Sequence, residues 1–256
     1  MTPAPAVSAR ARRTGGTAGE LRLIWVYPDL LSTYGDRGNL LVLERRARLR
    51  GIEVSSAEVN SDQSVPRQGD IYLMGGGEDL PQVLAARRLR ADGGLAAAAG
   101  RGAVLFSVCA GYQMLGMEFG GADDTPVAGL GLLDIRSGRG ARRAVGEIVA
   151  DVDPALNVPR LTGFENHQGV TRLGPRARPV ARTTLGTGNG DGNGTEGAYA
   201  GRVLGTYLHG PALVRNPGLA DLLLSWAVGP LPPLPEQAEE LALRLRDERL
   251  TAVNAR

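Results

Sequence analysis

The first half of the chain alternates apolar runs with stretches that carry leucine or alanine at helical spacing. The apolar runs are typical of strands, and they lie at 21–27, 53–59, 70–74 and 104–108. Helices are predicted between them, over 37–50 and over 80–100, the second in two pieces broken at Gly93 and Gly94. Strands that alternate with helices pair in parallel through right-handed crossovers. The pattern therefore predicts an α/β fold with a mostly parallel central sheet flanked by helices.

The pattern changes after Gly129, where short apolar runs and turn residues replace the helices. Short strands are predicted at 146–152, 160–165 and 178–183, and they would form a small antiparallel extension. The segment 186–201 is rich in Gly, Asn and Asp and is predicted to be an exposed loop. The apolar run 203–208 is predicted to return to the main sheet.

Both ends of the chain differ in composition from the segment between them. Residues 1–19 are rich in Ala, Pro, Thr, Gly and Arg without periodicity, which predicts a disordered tail. A helix is predicted over 216–228, and a charged helix over 236–254 follows a Pro-rich break. We therefore predict one α/β domain at 20–229, and a Pro-rich linker with a C-terminal helix at 230–256.

The segment 104–116 organises this fold, because a buried strand there meets Cys109 and then a helix. Ala110 and Gly111 supply the small volume that a tight strand-to-helix turn needs. Such a turn presents its first residue above the sheet edge, close to the N–H groups that open the helix. A lone cysteine is more often a core residue, but the small residues and the helix favour a nucleophile. We expect the helix dipole to lower the pKa of this thiol.

A cysteine nucleophile needs a base, and the chain has two histidines. His209 follows the apolar run 203–208, at the end of a strand, where α/β sheets assemble their sites. His167 lies in the polar segment 163–169, which is predicted to be a turn. Either histidine could serve as the base, and the strand-end position favours His209.

Composition narrows the chemistry further. A single cysteine forbids an internal disulfide and fits a reducing, cytoplasmic setting. All 29 basic residues are arginines, which excludes a P-loop lysine and a lysine base, so ATP use is expected on another chain. A net charge of +2 gives no indication of nucleic-acid binding, and no apolar run is long enough to span a membrane. A structural metal site would use every His and Cys, so none is expected.

The chain carries five short motifs: Tyr-Gly-Asp-Arg-Gly-Asn at 34–39, Met-Gly-Gly-Gly-Glu-Asp at 74–79, Cys-Ala-Gly-Tyr-Gln at 109–113, Gly-Phe-Glu-Asn-His-Gln-Gly at 163–169 and Tyr-Leu-His-Gly-Pro at 207–211. Together they resemble the motifs of class I glutamine amidotransferases of the cobyric acid synthase type. Within that class they are most similar to the glutaminase subunits of lipid II isoglutaminyl synthases. The resemblance covers the chain from about Leu21 to Gly229. It implies a glutaminase in which Cys109 attacks the side-chain amide of L-glutamine and His209 transfers the proton.

The resemblance also implies further site residues. The oxyanion would be bound by the N–H of Ala110 and by the glycine turn 75–77, with Gly76 as the expected donor, unless this turn is only a loop. Arg143 matches the substrate-binding arginine of the family, although arginine clusters are more often solvated loops. Gln113 lies one helical turn after the nucleophile and faces either the pocket or the helix surface.

The position two residues after His209 is Pro211, where many class I amidotransferases carry a glutamate that orients the imidazole. This chain therefore resembles the branch with a Cys–His dyad. An orienting carboxylate must then come from Asp36, from Glu165 or from a partner subunit, and Asp36 could also act only as a helix cap. Because an unheld imidazole is a poorer base, the isolated chain is expected to be a weak glutaminase.

By resemblance, the chain passes ammonia to a Mur-ligase-like partner in a heterodimer. That partner would bind ATP and Mg²⁺ and convert the D-glutamate α-carboxylate of lipid II to D-isoglutamine in peptidoglycan synthesis. No cofactor is expected on this chain. Two alternatives stay open: an amidotransferase for cobyric acid or another synthetase, and a non-catalytic assembly subunit on the same fold.

Overall fold

The computed structural model describes residues 19–33, 35–121, 123 and 125–254, and these form two β-sheets with helices packed on the first. The predicted tail at 1–19 lies outside the described residues, apart from Gly19. Strands are numbered β1–β12 and helices α1–α7 in chain order.

The central sheet has the strand order β11-β12-β4-β3-β1-β2. Its strands are β1 (Leu21–Val26), β2 (Val54–Val59), β3 (Ile71–Met74), β4 (Val104–Val108), β11 (Ala198–Ala200) and β12 (Val203–Thr206). Neighbours are parallel except β11, which runs antiparallel to β12. The predicted parallel sheet is therefore confirmed, and so is the return of 203–208 to it.

The helices lie where the periodicity predicts them. Those in the described part of the chain are α1 (Arg37–Arg48), α2 (Asp79–Asp92), α3 (Gly94–Gly100), α4 (Ala110–Leu115), α5 (Ala212–Arg215), α6 (Pro217–Val228) and α7 (Glu236–Asn254), with one 3-10 turn at Pro154–Leu156. Because strand side chains alternate, Leu23 and Trp25 of β1 pack in the core layer under α1 and α6, whereas Ile24 and Val26 pack in the layer under α2 and α3.

The second sheet is as large as the first, which corrects the predicted small extension. Its strands are β5 (Glu118–Gly120), β6 (Pro126–Ala128), β7 (Ile135–Val152), β8 (Leu161–Leu173), β9 (Ala181–Leu185) and β10 (Thr195–Glu196). The order is β10-β9-β7-β5-β6, with β8 paired to β7. The long strands β7 and β8 pair antiparallel, with an irregularity between Arg139 and Ala144. Glycines within β7 led sequence reasoning to a shorter strand, but the pairing with β8 continues across them.

Two local predictions in this region are wrong. The segment 163–169 is not a turn but part of β8, so His167 lies on a strand. The segment 186–201 is not an exposed loop, because Asn189 and Glu196 are completely buried. Burial is tolerated because the Asn189 amide donates to Thr195 Oγ1 at 3.0 Å and to the carbonyl of Gly197 at 2.9 Å.

The terminal helix α7 packs on the α/β domain. Arg46 of α1 contacts Glu239 at 3.2 Å (Nη2 to Oε2), and Arg246 Nη2 donates to the carbonyl of Arg160 at 2.6 Å. Across the described residues, every helix is too short or too polar to cross a bilayer.

Candidate active site

Cys109 lies at the junction of β4 and α4 in a strained backbone conformation. Its φ of 53° and ψ of −108° fall outside the regions that ordinary residues adopt. Its N–H donates to the carbonyl of Thr206 in β12 at 2.9 Å, and the N–H of Gly111 donates to the carbonyl of Gly75 at 3.1 Å. The strand, the sharp turn and the helix form the expected nucleophile elbow, held on both sides by neighbouring strands.

The pKa of the Cys109 thiol is opposite in direction to the sequence-based expectation. Burial, and then the nearby Asp36 carboxyl, raise this pKa to about 12, although the N–H of Ala110 and the charge of Arg143 act to lower it. The helix α4 has six residues, and the partial charge at its N-terminus does not offset the desolvation of a thiolate. The thiol is therefore protonated in the resting protein.

Slow alkylation of Cys109 by iodoacetamide at pH 8 is an expected consequence. The reactive thiolate is scarce, so the folded chain is expected to react at least about tenfold more slowly than the same chain in denaturant. Mass spectrometry of the single cysteine over time measures both rates. Equal rates in the two states would show that burial does not suppress the thiolate.

His209 faces the same site from the end of β12. It is buried, and it pairs with Phe164 of β8 through two backbone hydrogen bonds of 2.8 and 3.1 Å. A Cβ built on Gly76 would lie 3.2 Å from His209 Cε1 and 3.5 Å from Cys109 Cβ, so the two side chains approach the same side of this glycine, and a larger residue there would crowd both. Burial, and then the neighbouring His167, lower the pKa of His209 to about 4. The imidazole is therefore neutral at pH 7 and able to accept a proton.

Asp36 is the carboxylate beside His209. Its Oδ1 lies 3.9 Å from His209 Nδ1, and its Oδ2 accepts the N–H of Gly76 at 2.6 Å. Burial raises the pKa of Asp36 to about 7, against the lowering effect of the Gly76 N–H. Since burial shifts both Asp36 and His209 towards their neutral forms, the contact is not a full ion pair at pH 7. Asp36 precedes α1 but makes no side-chain cap, so the helix-cap alternative is wrong.

Glu165, the other candidate for orienting His209, contacts His167 instead. Its Oε2 lies 3.8 Å from His167 Nε2, and the carboxylate accepts the N–H groups of Thr187 and Gly188 at 2.8 and 2.9 Å. Burial alone would raise the pKa of Glu165, but His167 and then the N–H groups of Gly188 and Thr187 lower it. The His167 ring stacks on Tyr207 with centroids 3.7 Å apart. His167 is thus held by Glu165 and Tyr207, and it lines the cavity beside Cys109.

The backbone N–H groups expected to bind the oxyanion are not all free to do so. The N–H of Gly76 donates to Asp36 Oδ2 at 2.6 Å, so it can meet an oxyanion only if this hydrogen bond is broken. Gly77 and Ala110 both line the cavity beside Cys109, and the N–H of Ala110 is directed at the cysteine sulfur. Gly77 is therefore the glycine of the turn that, like Ala110, borders the space beside the nucleophile candidate.

A cavity of about 180 Å³ opens beside Cys109. Arg143 lines it, and its Nε donates to Asn166 Oδ1 at 2.6 Å, so the guanidinium is held by β8 although the residue is exposed. Gln113 also lines it: its Nε2 donates to the Tyr207 hydroxyl at 3.0 Å, and its Oε1 accepts from Gln82 at 2.8 Å. The structure thus brings both predicted side chains into the pocket wall.

Sequence reasoning missed Gln82, Tyr207 and Glu78. Gln82 lies on the first turn of α2, directly after the glycine turn, and Tyr207 lies two residues before His209, where alternation puts it on the same side of the chain. Those spacings were available signals. Glu78 could not be found this way, because a carboxylate before a helix is common on protein surfaces.

Comparison with known proteins decides the family. The model of the CobB/CobQ-like glutamine amidotransferase domain matches residues 22–217, more than half of the chain. The chain belongs to the CobB/CobQ-like glutamine amidotransferase family. A crystal structure of a glutamine amidotransferase superposes on this family member with a TM-score of 0.54 and 22% identity, covering 80% of this chain and 98% of that one. The predicted class I fold is therefore confirmed.

Two relatives are similar in sequence to this chain along most of their length. The lipid II isoglutaminyl synthase (glutamine-hydrolyzing) subunit GatD of Staphylococcus aureus is 36% identical over 210 residues, which cover 81% of this chain and 84% of that protein. The GatD subunit of Streptococcus pneumoniae is 32% identical and covers 84% of both chains. The cobyric acid synthase of Sphingopyxis alaskensis is 35% identical over 64% of this chain but over only 33% of its own length.

Proposed function

We propose that this chain is the glutamine-hydrolysing subunit of a two-subunit enzyme that amidates lipid II. The observation that carries the glutaminase assignment is that Cys109, on the wall of the cavity, and His209 both lie against Gly76, within 3.5 Å and 3.2 Å of a Cβ built there. A nucleophile and a neutral imidazole at one site are the parts that acyl transfer from an amide requires. A non-catalytic assembly subunit would have no need of either.

In the proposed reaction, Cys109 Sγ attacks the side-chain carbonyl carbon of glutamine while His209 takes the thiol proton. The N–H groups of Ala110 and Gly77 stabilise the tetrahedral oxyanion. Its collapse breaks the C–N bond, His209 returns the proton to the nitrogen, and ammonia leaves. Water then attacks the thioester with His209 as base, which releases glutamate and restores the thiol.

Substrate is proposed to bind through Arg143, whose guanidinium suits a carboxylate. The hydrogen bond to Asn166 orients this arginine before substrate arrives. Gln113, fixed between Gln82 and Tyr207, presents its amide to the same cavity. These contacts support recognition of a small polar molecule with a free carboxylate.

The resting state supports a weak glutaminase in isolation. With a thiol pKa of about 12 and a His209 pKa of about 4, transfer of the proton from Cys109 to His209 is strongly uphill before substrate binds. Asp36 supplies a carboxylate near His209, but its own pKa is raised to about 7. A partner that adds charge or orders the loop at Asp36 would make the transfer easier, so activation by the partner is part of the proposal.

The lipid II assignment is supported by the GatD relatives, because similarity spans 84% of their length. The cobyric acid synthases match over about a third of theirs. The synthetase partner is proposed to be a Mur-ligase-like chain that binds ATP and Mg²⁺ and activates the D-glutamate α-carboxylate of lipid II. Ammonia would attack the activated carboxyl to give D-isoglutamine, at the cytoplasmic side of peptidoglycan synthesis.

The deciding experiment is amidation of lipid II by this chain and its Mur-ligase-like partner, with ATP and with glutamine as the nitrogen source. Amidation that requires both chains is the expected result. Amidation of a corrinoid with a corrinoid synthetase, and none of lipid II, would overturn the lipid II assignment and leave the glutaminase assignment standing.

Replacement of Asp36 by asparagine tests the role of this residue in the site. We expect kcat for glutamine hydrolysis to fall about tenfold, because the amide can still bind the Gly76 N–H but carries no charge for the imidazolium. The folded pKa of about 7 exceeds the ordinary 3.8, so the folded protein binds the extra proton between these pH values. Protonation of Asp36 therefore stabilises the folded wild-type protein at low pH, and this stabilisation is lost as the pH rises from about 4 to 7. Asparagine does not titrate, so the variant has no such loss of stability.

The measurements are glutaminase kinetics and thermal unfolding at pH 5 and pH 8. The variant's melting temperature relative to wild type is expected to be higher at pH 8 than at pH 5. Unchanged turnover with a lower melting temperature at both pH values would make Asp36 a purely structural residue.

A further inference from the structure

The cavity beside Cys109 carries opposite charges on two of its walls. Arg143 stands on the wall formed by β7 and β8, and Glu78 stands on the wall formed by the glycine turn and α2. Both charges act on the nucleophile: after burial, which raises the pKa of Cys109 most, Arg143 lowers this pKa and Glu78 raises it. Cys109 therefore lies within the field of both groups.

The two carboxylates among the described residues that line the cavity are Glu78 and Asp79, and they differ in their contacts. Asp79 Oδ2 lies 3.3 Å from Arg139 Nη1, an ion pair in which both side chains are about half exposed. Glu78 is extended, with φ −80° and ψ 163°, and it does not cap α2 with its side chain. Within the part of the chain that the structure describes, its carboxylate has no hydrogen bond or ion pair.

The proposed substrate carries a matching pair of charges. Free L-glutamine has an ammonium and a carboxylate on its α-carbon, and its amide must reach Cys109. If Arg143 binds the carboxylate, the ammonium requires an acceptor on another wall of the same cavity. A carboxylate already paired with an arginine is a poorer acceptor than one without a partner, which favours Glu78 over Asp79.

We propose that Glu78 binds the α-ammonium group of glutamine and so restricts the site to glutamine with an unblocked amino group. The inference rests on the proposed glutaminase function and adds a specificity-determining residue to it. Glutamine within a peptide, or acylated on its α-nitrogen, lacks the charge that Glu78 recognises and is excluded. Binding of the ammonium would also neutralise one of the charges that disfavours the Cys109 thiolate.

The test compares L-glutamine with 4-carbamoylbutanoate, which keeps the amide and the carboxylate but lacks the ammonium. Both ligands are titrated calorimetrically into the full chain with Cys109→Ala, so that no turnover occurs. We expect glutamine to bind about tenfold more tightly than the analogue. Glu78→Gln in the same background is expected to weaken the binding of glutamine about tenfold and to leave the binding of the analogue unchanged.

Matched variants separate this role from general effects. Glu248→Gln removes an exposed carboxylate of α7, far along the chain from Glu78. It is expected to leave the affinity for both ligands unchanged. Three results would overturn the inference. Glu78→Gln could weaken the binding of both ligands equally, Asp79→Asn rather than Glu78→Gln could abolish the preference for glutamine over the analogue, or the chain could bind no glutamine at all. A wild-type chain that prefers glutamine through Glu78 but releases no ammonia, even with its partner, would contradict the proposed function and not this inference.

Discussion

Replacement of Cys109 by alanine is expected to lower glutamine-dependent amidation by the complex at least about a thousandfold, because it removes the attacking sulfur. The synthetase site on the partner does not use this sulfur, so ammonium salts are expected to restore amidation to the wild-type level. The measurement is lipid II amidation with glutamine or with ammonium chloride, and ammonia release in parallel.

Two controls keep the Cys109 result interpretable. Cys109→Ser preserves volume at the positive φ of 53° and is expected to be equally inactive with glutamine, since a serine hydroxyl is not activated by this histidine. Thermal unfolding is expected to show both variants folded. Persistent glutamine hydrolysis at the wild-type rate in the alanine variant would refute the nucleophile assignment, and failure of ammonium rescue would refute the division of labour between the two chains.

The second large effect is expected at His209. His209→Ala removes the base at the end of β12, and kcat is expected to fall by about 10²–10⁴-fold. His209→Asn retains more of the buried volume and is expected to lose as much activity with less loss of stability. Since the pKa of His209 is lowered to about 4, its protonation is not expected to limit the wild-type rate above about pH 5.

His167→Ala is the matched comparison for His209. His167 lines the cavity but stacks on Tyr207 and faces Glu165, so its removal leaves a buried carboxylate with fewer partners. We expect a lower melting temperature and a smaller loss of kcat than at His209. Steady-state kinetics and thermal unfolding of the two variants decide between them, and equal losses of kcat would show that His167 also takes part in the chemistry.

The sequence alone was enough to predict the strands and helices that show a single, uninterrupted pattern of residues. The strand before Cys109, the helix at 236–254 and the parallel order of the first four strands are all confirmed. The strand before Cys109 is a largely apolar run that is buried along its whole length. The terminal helix is half-buried to exposed and is marked by a long charged stretch without Gly or Pro, so local sequence contains the necessary information in both cases.

The sequence was insufficient where polar residues are buried by partners far along the chain. Segment 163–169 was predicted to be a turn because it is polar, yet its side chains form hydrogen bonds with Arg143, with Gly140 and with the loop after β9. A Cβ at Gly169 would lie 2.1 Å from Gln113 Nε2, so this glycine permits close packing rather than a bend. Asp36 was recognised only as one of several candidates, because its distance from His209 depends on the whole sheet order.

The proposed dyad and the proposed substrate arginine stand on different sheets. Cys109 and His209 follow β4 and β12, which are adjacent parallel strands, whereas Arg143 is part of β7 in the second sheet. His209 is also tied to the second sheet, because its backbone pairs with Phe164 of β8. A small rotation of one sheet against the other would therefore change the distance from Arg143 to Cys109 and shift His209 at the same time. Sequence changes in the second sheet can accordingly alter KM and kcat together.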